Sequence, residues 1–210
     1  MVVLVTGFEP NDDGINASEV LVKSLVENLP LTLTECRELL RFEVMPGNTN
    51  LLEDALKQSF QVPSPDFCLF TGQAPGRNKI TIERIATNLK DFKTPDKAGN
   101  LPVGEKILPN GEAAYFSTIS NLEELVTILE KNNIPAAISN YGGNHLCNQL
   151  LYHALHFGII NNLKIKSAFI HLPLLPEQVI KERKFSDSPF MPIEMTRMAL
   201  SLIIKTILKS

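Results

Sequence analysis

The chain has 210 residues, of which 44% are hydrophobic, and a formal net charge of -3 at pH 7, which fits one globular domain with a sizeable core. The small negative charge without a basic cluster argues against nucleic acid or an anionic membrane as a partner. The first seven residues lack the basic segment and the length of a signal peptide, and no apolar run approaches the roughly 20 residues of a membrane helix.

Apolar runs and periodicity predict strands alternating with helices along the whole chain. Strands are predicted at 2–6, within 32–44, and at 67–70, 136–138 and 167–171, and helices at 17–29, 51–60, 122–131, 146–157 and 191–208. This alternation predicts a single-domain α/β fold, a three-layer αβα sandwich around a mostly parallel mixed sheet. Residues 80–84 alternate apolar with polar side chains, so we expect an exposed or edge strand there. Residues 93–111 are predicted to form a functional or interface loop because they are rich in Pro, Gly and Asn.

The cysteines indicate a reducing compartment. Cys36, Cys68 and Cys147 cannot all pair and form no Cys-x-x-Cys motif. We therefore expect a cytoplasmic protein and predict no metal site or cofactor. Cys68 falls in a buried strand and Cys36 in a predicted strand, so neither is expected to carry chemistry.

Cys147 lies where a strand, a glycine turn and a helix follow one another. The strand at 136–138 precedes Gly142-Gly143, Asn144 is the predicted N-cap, and apolar residues at helical spacing continue to Gly158. Unpaired amide donors and the helix dipole favour a thiolate in the first turn. Alternatively, Cys147 is a small apolar residue on the buried face of the helix. Its position alone leaves both interpretations open.

A cysteine nucleophile needs a base, and four histidines are available. His153 and His156 lie too far along the predicted helix to reach Cys147. His145 precedes the helix and is predicted to face the same cleft. His171 is the best candidate, because it ends a strand where open α/β sheets build their sites. The alternative for His171 is a histidine that caps the following loop.

Several short segments together resemble one known family. The most specific are Gly72-Gln73-Ala74-Pro75-Gly76-Arg77 and the run from Ile80 to Asn88. Further matches are Ser139-Asn140 with Cys147-Asn148, Phe169-Ile170-His171-Leu172-Pro173, and the segments 5–10 and 111–118. They resemble the signatures of pyroglutamyl peptidase I, cysteine peptidases that remove an amino-terminal pyroglutamate. The resemblance runs from residue 2 to about residue 178 and implies one such domain over residues 1–210.

The resemblance implies a catalytic triad. Cys147 would be the nucleophile, His171 the general base, and Glu83 the carboxylate that orients the imidazole. From its sequence context alone, Glu83 reads as an exposed strand charge. The implied mechanism is acyl transfer through a thioester, with backbone N–H groups near Cys147 holding the oxyanion.

The resemblance also assigns a substrate pocket, and there the chain departs from the family. Asn11 and His145 stand where two aromatic residues clasp the pyrrolidone ring, while Phe8 keeps an aromatic side chain. Lys93 replaces an arginine near the oxyanion and loses its planar fork. Gly47 replaces a threonine.

These departures predict an active enzyme with weakened or changed specificity. Gln73, from the first signature, is expected to contact the substrate with the residues above. Loss of both aromatic contacts is worth roughly 2 to 3 kcal/mol, or roughly 30- to 200-fold in the specificity constant. Asp12 and Asp13 beside Asn11 suggest a shift toward a polar or free-amine residue, unless they are solvated loop charges.

Three functions remain open on the sequence. The first is a pyroglutamyl peptidase, the second a cysteine hydrolase of the same mechanism acting on another amino-terminal group, and the third a non-catalytic binding module on this fold. The expected partner is a small peptide with a blocked amino terminus. The resemblance also implies a possible homo-oligomer, a dimer or tetramer.

Overall fold

A six-stranded mixed sheet forms the middle of the molecule. The computed structural model describes residues 1–10, 14–61 and 63–209. The strands are β1 Val3–Phe8, β2 Leu40–Met45, β3 Phe67–Gln73, β4 Ile80–Glu83, β5 Ile85–Thr87, β6 Ala114–Phe116, β7 Ala136–Ser139 and β8 Lys166–Leu172. The α-helices are α1 Ala17–Glu27, α2 Leu52–Ser59, α3 Leu122–Lys131, α4 Leu146–Ile160, α5 Pro176–Lys181 and α6 Ile193–Ile207, and Leu31–Leu39 and Arg183–Phe185 are 3₁₀ helices.

The order of the strands brings distant parts of the chain together. It is β2-β1-β3-β8-β4-β7, and β5 pairs with β6 in a separate ribbon. All neighbours in the large sheet are parallel except β4 and β8, which run antiparallel. The carboxyl ends of β1, β3 and β8 therefore meet at one edge, while β4 and β7 run the other way.

Helices cover both faces of the sheet. Side chains of α1, α3 and α6 share one apolar core with Val3 and Val5 of β1. Those of α2 and α4 share a second core with Leu4 of the same strand. Successive strand residues point to opposite faces, so one apolar run supplies both cores. The predicted three-layer α/β fold with a mostly parallel mixed sheet is confirmed.

The prediction of an edge strand at 80–84 was wrong. β4 lies between β8 and β7, and Ile80, Ile82, Thr81 and Glu83 are all buried. The alternation of apolar and polar residues arises because the isoleucines enter the first core while Thr81 and Glu83 enter a buried polar site. Alternation marks two different surroundings, and here neither of them is bulk water.

Some other local predictions also need correction. Cys36 lies in the 3₁₀ helix at Leu31–Leu39 rather than in a strand, and its thiol donates to Leu33 O. Helix α4 runs past Gly158, the predicted stop. Helix α5 and the β5–β6 ribbon were not predicted. Within the described ranges, no helix is long and apolar enough to cross a membrane.

A substitution at Gly7 tests the packing between β1 and α1, and Gly158 in α4 serves as its control. A Cβ at Gly7 would lie 2.3 Å from the backbone oxygen of Ser18, whereas the nearest atom to one at Gly158 is Leu163 O at 4.0 Å. We expect Gly7→Ala to lower the free energy of unfolding by about 1–3 kcal/mol, because α1 must move. Gly158→Ala should raise it by about 0.5–1 kcal/mol, because alanine favours the helix. Urea unfolding measures both, and equal stabilities would contradict the close approach of β1 to α1.

Candidate active site

One large cavity gathers most of the predicted site residues. It has a volume of about 820 Å³ and lies at the edge where β1, β3 and β8 end. Six of the eight predicted residues line it: Phe8, Gln73, Lys93, His145, Cys147 and His171. Glu83 lies behind His171, and Asn11, with Asp12 and Asp13, lies outside the described residues. The cavity therefore joins segments that are far apart in the chain.

A short loop carries the chain from β7 to Cys147. β7 ends at Ser139, level with Glu83, and the loop then passes beside the Glu83 side chain, to which a Cβ at Gly142 would lie 3.5 Å away. Gly143 has φ +77, a left-handed conformation that glycine adopts without strain. Helix α4 begins at Leu146, so Cys147 lies in its first turn, as predicted.

The helix cap was predicted one residue too early. His145, not Asn144, is the N-cap residue, and its side chain makes no capping bond. Instead its ring stacks on Phe92 at 3.9 Å between centroids, and Nε2 lies 3.1 Å from Thr94 O. Tertiary contacts with the 92–94 segment therefore fix this residue in place of a local cap. Because Nε2 faces a carbonyl oxygen, it carries the proton and donates.

Burial dominates the ionisation of Cys147. It raises the pKa of the thiol to about 12, and the charge of Glu83 adds to this, while Arg77 and the residue's own backbone N–H act in the opposite direction. Loss of water therefore opposes the thiolate that the helix end favours. A side chain at Gly72 would meet Sγ at 2.9 Å, so the sulfur packs against the end of β3. The thiol needs a base to react.

His171 and Glu83 form a buried pair. His171 Nδ1 lies 2.8 Å from Glu83 Oε1, and the residues are 4% and 1% exposed. In the antiparallel ladder Thr81 lies opposite His171, and Glu83 lies opposite Phe169. Glu83 and His171 are therefore diagonal neighbours on one face of the sheet. Residue 171 is one before the end of β8, as predicted. The expectation of an exposed charge at Glu83 was wrong, because its strand is central.

Hydrogen bonds keep Glu83 ionised despite its burial. Burial alone would raise its pKa, but His171 foremost, with the nearby Ser139 hydroxyl and Arg77, holds the pKa below its ordinary value. Burial lowers the pKa of His171, and Glu83 opposes this. At neutral pH the imidazole is neutral and donates Nδ1–H to the carboxylate, which leaves the lone pair on Nε2 available to accept a proton. No hydrogen bond joins Cys147 Sγ to His171 within the described residues.

Different neighbours hold the predicted substrate-binding residues in place. Phe8 is buried, with its ring centroid 6.4 Å from that of Phe169. Gln73 Oε1 accepts hydrogen bonds from Ala17 N at 3.0 Å and from Gln178 Nε2 at 2.9 Å. These bonds orient the amide, so that its NH₂ group is the end left to serve as a donor.

Lys93 and His145 make one wall of the cavity polar. Lys93 is exposed on the segment that carries Thr94. Burial lowers the pKa of His145, against the Thr94 carbonyl and the charge of Asp96, so its ring is neutral at pH 7. The wall therefore combines one cation with one neutral aromatic ring.

The sequence reasoning missed several residues of this cavity. Arg77 bonds Glu83, Gln178 holds Gln73, and Glu182, Lys184 and Phe185 form part of the lining. Arg77 stood within a quoted signature without a role, and the other residues gave no signal. By contrast, His153 and His156 do not line the cavity, in agreement with their predicted distance from Cys147.

Comparisons with known proteins agree over the whole chain. A family model described as pyroglutamyl peptidase matches residues 1–210. Pyrrolidone-carboxylate peptidase 1 of Caldanaerobacter subterraneus subsp. tengcongensis is 36% identical over 211 residues, which cover 100% of this chain and 99% of that relative. The pyrrolidone-carboxylate peptidase of Thermoanaerobacter sp. is 38% identical, with 100% and 98% covered.

Solved structures also resemble this chain over its whole length. A mutant pyrrolidone carboxyl peptidase from Pyrococcus furiosus superposes with a TM-score of 0.88 at 34% identity, covering 100% of this chain and 99% of that one. The pyrrolidone carboxyl peptidase of Fervidobacterium islandicum gives a TM-score of 0.90 at 31% identity, with the same coverage. Sequence and fold therefore point to one family.

Proposed function

Since the chain belongs to the pyroglutamyl peptidase family, we propose that it removes amino-terminal pyroglutamyl residues from peptides by acyl transfer through Cys147, His171 and Glu83. The observation that supports this assignment is the buried bond of 2.8 Å from His171 Nδ1 to Glu83 Oε1, behind a cavity that also contains Cys147. A thiol, a neutral imidazole and an orienting carboxylate are the groups that cysteine acyl transfer needs. Related proteins that are themselves peptidases favour an enzyme over a binding module.

In the first half of the proposed reaction, His171 Nε2 takes the proton of the Cys147 thiol as Sγ attacks the carbonyl carbon of the pyroglutamyl amide. Glu83 stabilises the imidazolium that forms, because its charge accepts Nδ1–H. The tetrahedral oxyanion accepts a hydrogen bond from the backbone N–H of Cys147, in the first turn of α4. His171 then protonates the leaving amine, the C–N bond breaks and a thioester remains.

The second half returns the enzyme to its starting state. His171, again neutral, takes a proton from a water molecule that attacks the thioester carbonyl. When the intermediate collapses, the C–S bond breaks, Sγ recovers the proton from His171, and free pyroglutamate leaves. The same imidazole thus acts as base and acid in both halves, and Glu83 keeps it in one tautomer.

Substrate recognition in this proposal uses the four described pocket residues. Phe8 and His145 offer apolar and aromatic faces to the lactam ring, and the Gln73 amide offers a donor to its carbonyl. Lys93 adds a positive charge near the reacting carbonyl. A cavity of this kind suits a blocked, uncharged amino terminus, since a free ammonium placed against Phe8 and His145 would lose its hydration.

Altered amino-terminal specificity is the second candidate. The observation that favours it is the polar wall formed by His145 and Lys93, in place of a second aromatic residue and an arginine fork. A homodimer or homotetramer stays a prediction.

The test of the proposed function is turnover of a pyroglutamyl fluorogenic amide compared with its glutaminyl and free-amine counterparts. We expect release from the pyroglutamyl substrate to exceed that from the others by at least about tenfold. Cys147→Ala should abolish turnover and leave thermal unfolding unchanged. Cys36→Ser and Cys68→Ala are matched controls, because these thiols lie outside the cavity, and they should alter stability alone. Full activity of Cys147→Ala would disprove the mechanism.

Glu83→Gln tests the orienting carboxylate. The substitution keeps the size of the side chain but removes the charge that stabilises imidazolium at His171. We expect kcat to fall on the order of 10²-fold or more, with KM changed little. Steady-state kinetics on the pyroglutamyl amide measure both constants. A loss confined to KM would make Glu83 a pocket residue and remove it from the triad.

His145→Phe tests the aromatic wall. Phenylalanine can keep the stacking contact with Phe92 and offers a fully apolar face, at the loss of the bond to Thr94 O. One better ring contact is worth about 1 kcal/mol, so kcat/KM for the pyroglutamyl amide should rise roughly fivefold, mainly through KM. An unchanged or lower kcat/KM would place the lactam ring elsewhere in the cavity.

A further inference from the structure

We propose that Arg77 is a positioning residue for the reaction, which fixes the Glu83 carboxylate toward His171 and ties it to the loop that carries Cys147. This inference rests on the proposed function of the site and adds to it a residue outside the triad. Arg77 lies at the cavity wall between β3 and β4, with 24% of its side chain exposed.

The contacts of Arg77 join two parts of the site. Nη1 donates to Glu83 Oε1 at 2.6 Å and also bonds the Thr81 hydroxyl, while Nη2 donates to Tyr141 O at 2.8 Å. Tyr141 belongs to the loop between β7 and α4, and Glu83 is the partner of His171. One planar guanidinium therefore fixes the distance between the base's carboxylate and the nucleophile's loop.

The hydrogen bonds on Glu83 show why this position matters. Oε1 accepts from Arg77, from His171 Nδ1 at 2.8 Å and from the Thr81 hydroxyl at 3.3 Å. Oε2 is buried and accepts no hydrogen bond within the described residues. Arg77, Thr81 and His171 thus all bond the oxygen that faces His171, so Arg77 helps to set the rotation of the carboxylate.

The charge of Arg77 also acts on the reacting pair. It lowers the pKa of the Cys147 thiol and that of His171, and it helps to keep Glu83 ionised. Without this charge the pKa of His171 rises. The neutral base is then lost at a higher pH, and the acid limb of the activity profile moves upward. A residue that only stabilises the fold would not move this limb.

Other charged groups around the cavity do not replace Arg77. They are Asp91, Lys93, Asp96, His145, Glu182 and Lys184. None of them bonds Glu83 within the described residues. They remain in every variant below, so a difference between variants reports Arg77 itself.

The experiment compares Arg77→Met, Arg77→Lys and the control Arg84→Met. Arg84 is a matched arginine, since its side chain bonds Asn140 of the same loop and Glu123 at the surface, but it does not line the cavity. For Arg77→Met we expect kcat on a pyroglutamyl amide to fall at least tenfold, with KM within about threefold. The acid limb of kcat/KM should move up by about 0.5 to 1 pH unit. Arg84→Met should keep the wild-type kcat and acid limb.

Arg77→Lys separates charge from geometry and also serves if Arg77→Met fails to fold. Lysine keeps the positive charge but cannot reproduce the two-armed contact, so the acid limb should stay close to that of wild type while kcat falls. The proposal is overturned if the folded variants keep the wild-type kcat, or if Arg77→Met loses kcat with no shift of the acid limb. It is equally overturned if Arg84→Met behaves like Arg77→Met.

Alkylation of Cys147 by iodoacetamide, followed by mass spectrometry of the modified peptide, needs no turnover. At pH 8, Arg77→Met should react about three- to tenfold more slowly than wild type, because less thiolate is present. If wild type releases no pyroglutamate but this difference is seen, the proposed function fails, while the effect of the Arg77 charge on Cys147 stands for whatever reaction the site performs. If wild type is active and the alkylation rates are equal, the role of Arg77 fails alone.

Discussion

A carboxylate kept ionised inside the sheet is the constraint around which this site is built. Glu83 is 1% exposed, and an unpaired charge at such a depth would cost several kcal/mol. The antiparallel placement of β4 beside β8 supplies His171 on the diagonal, and Arg77 supplies the compensating positive charge. Because Arg77 matches the charge and the neutral His171 adds a hydrogen-bond donor, the geometry of the His171–Glu83 pair follows from the need to stabilise a buried carboxylate.

Local patterns in the sequence were enough to place Cys147 at the start of a helix, although they left its role open. A glycine turn followed by helical periodicity placed Cys147 in the first turn of a helix, and the helix is there. Residue 171 near the end of a strand was predicted in the same way. The identity of the site depended instead on signature segments, which carried information that periodicity does not hold. The resemblance supplied Glu83, whereas its alternating surroundings alone suggested an exposed strand.

The errors share a physical origin in long-range pairing. Whether β4 is an edge or a central strand depends on β7 and β8, which follow it by more than 50 residues. Nothing local distinguishes a polar residue that faces water from one that faces a buried partner. The same holds for Arg77, whose hydrogen bond to Tyr141 O spans 64 residues, and for His145, which stacks on Phe92 in preference to capping its helix.

The loss of water around the Cys147 thiol changes the step at which the donors at the start of α4 contribute. Donors and dipole at the start of α4 do not suffice to ionise Cys147 at rest, because loss of water outweighs them. On the proposed mechanism these donors act later, when negative charge has moved from sulfur to the carbonyl oxygen of the substrate. An interaction that is weak in the ground state and strong in the transition state lowers the barrier more than one that stabilises the resting thiolate. A half-buried thiol that rests protonated is therefore compatible with efficient catalysis, provided that the neutral His171, with its partners Glu83 and Arg77, is positioned to take the proton.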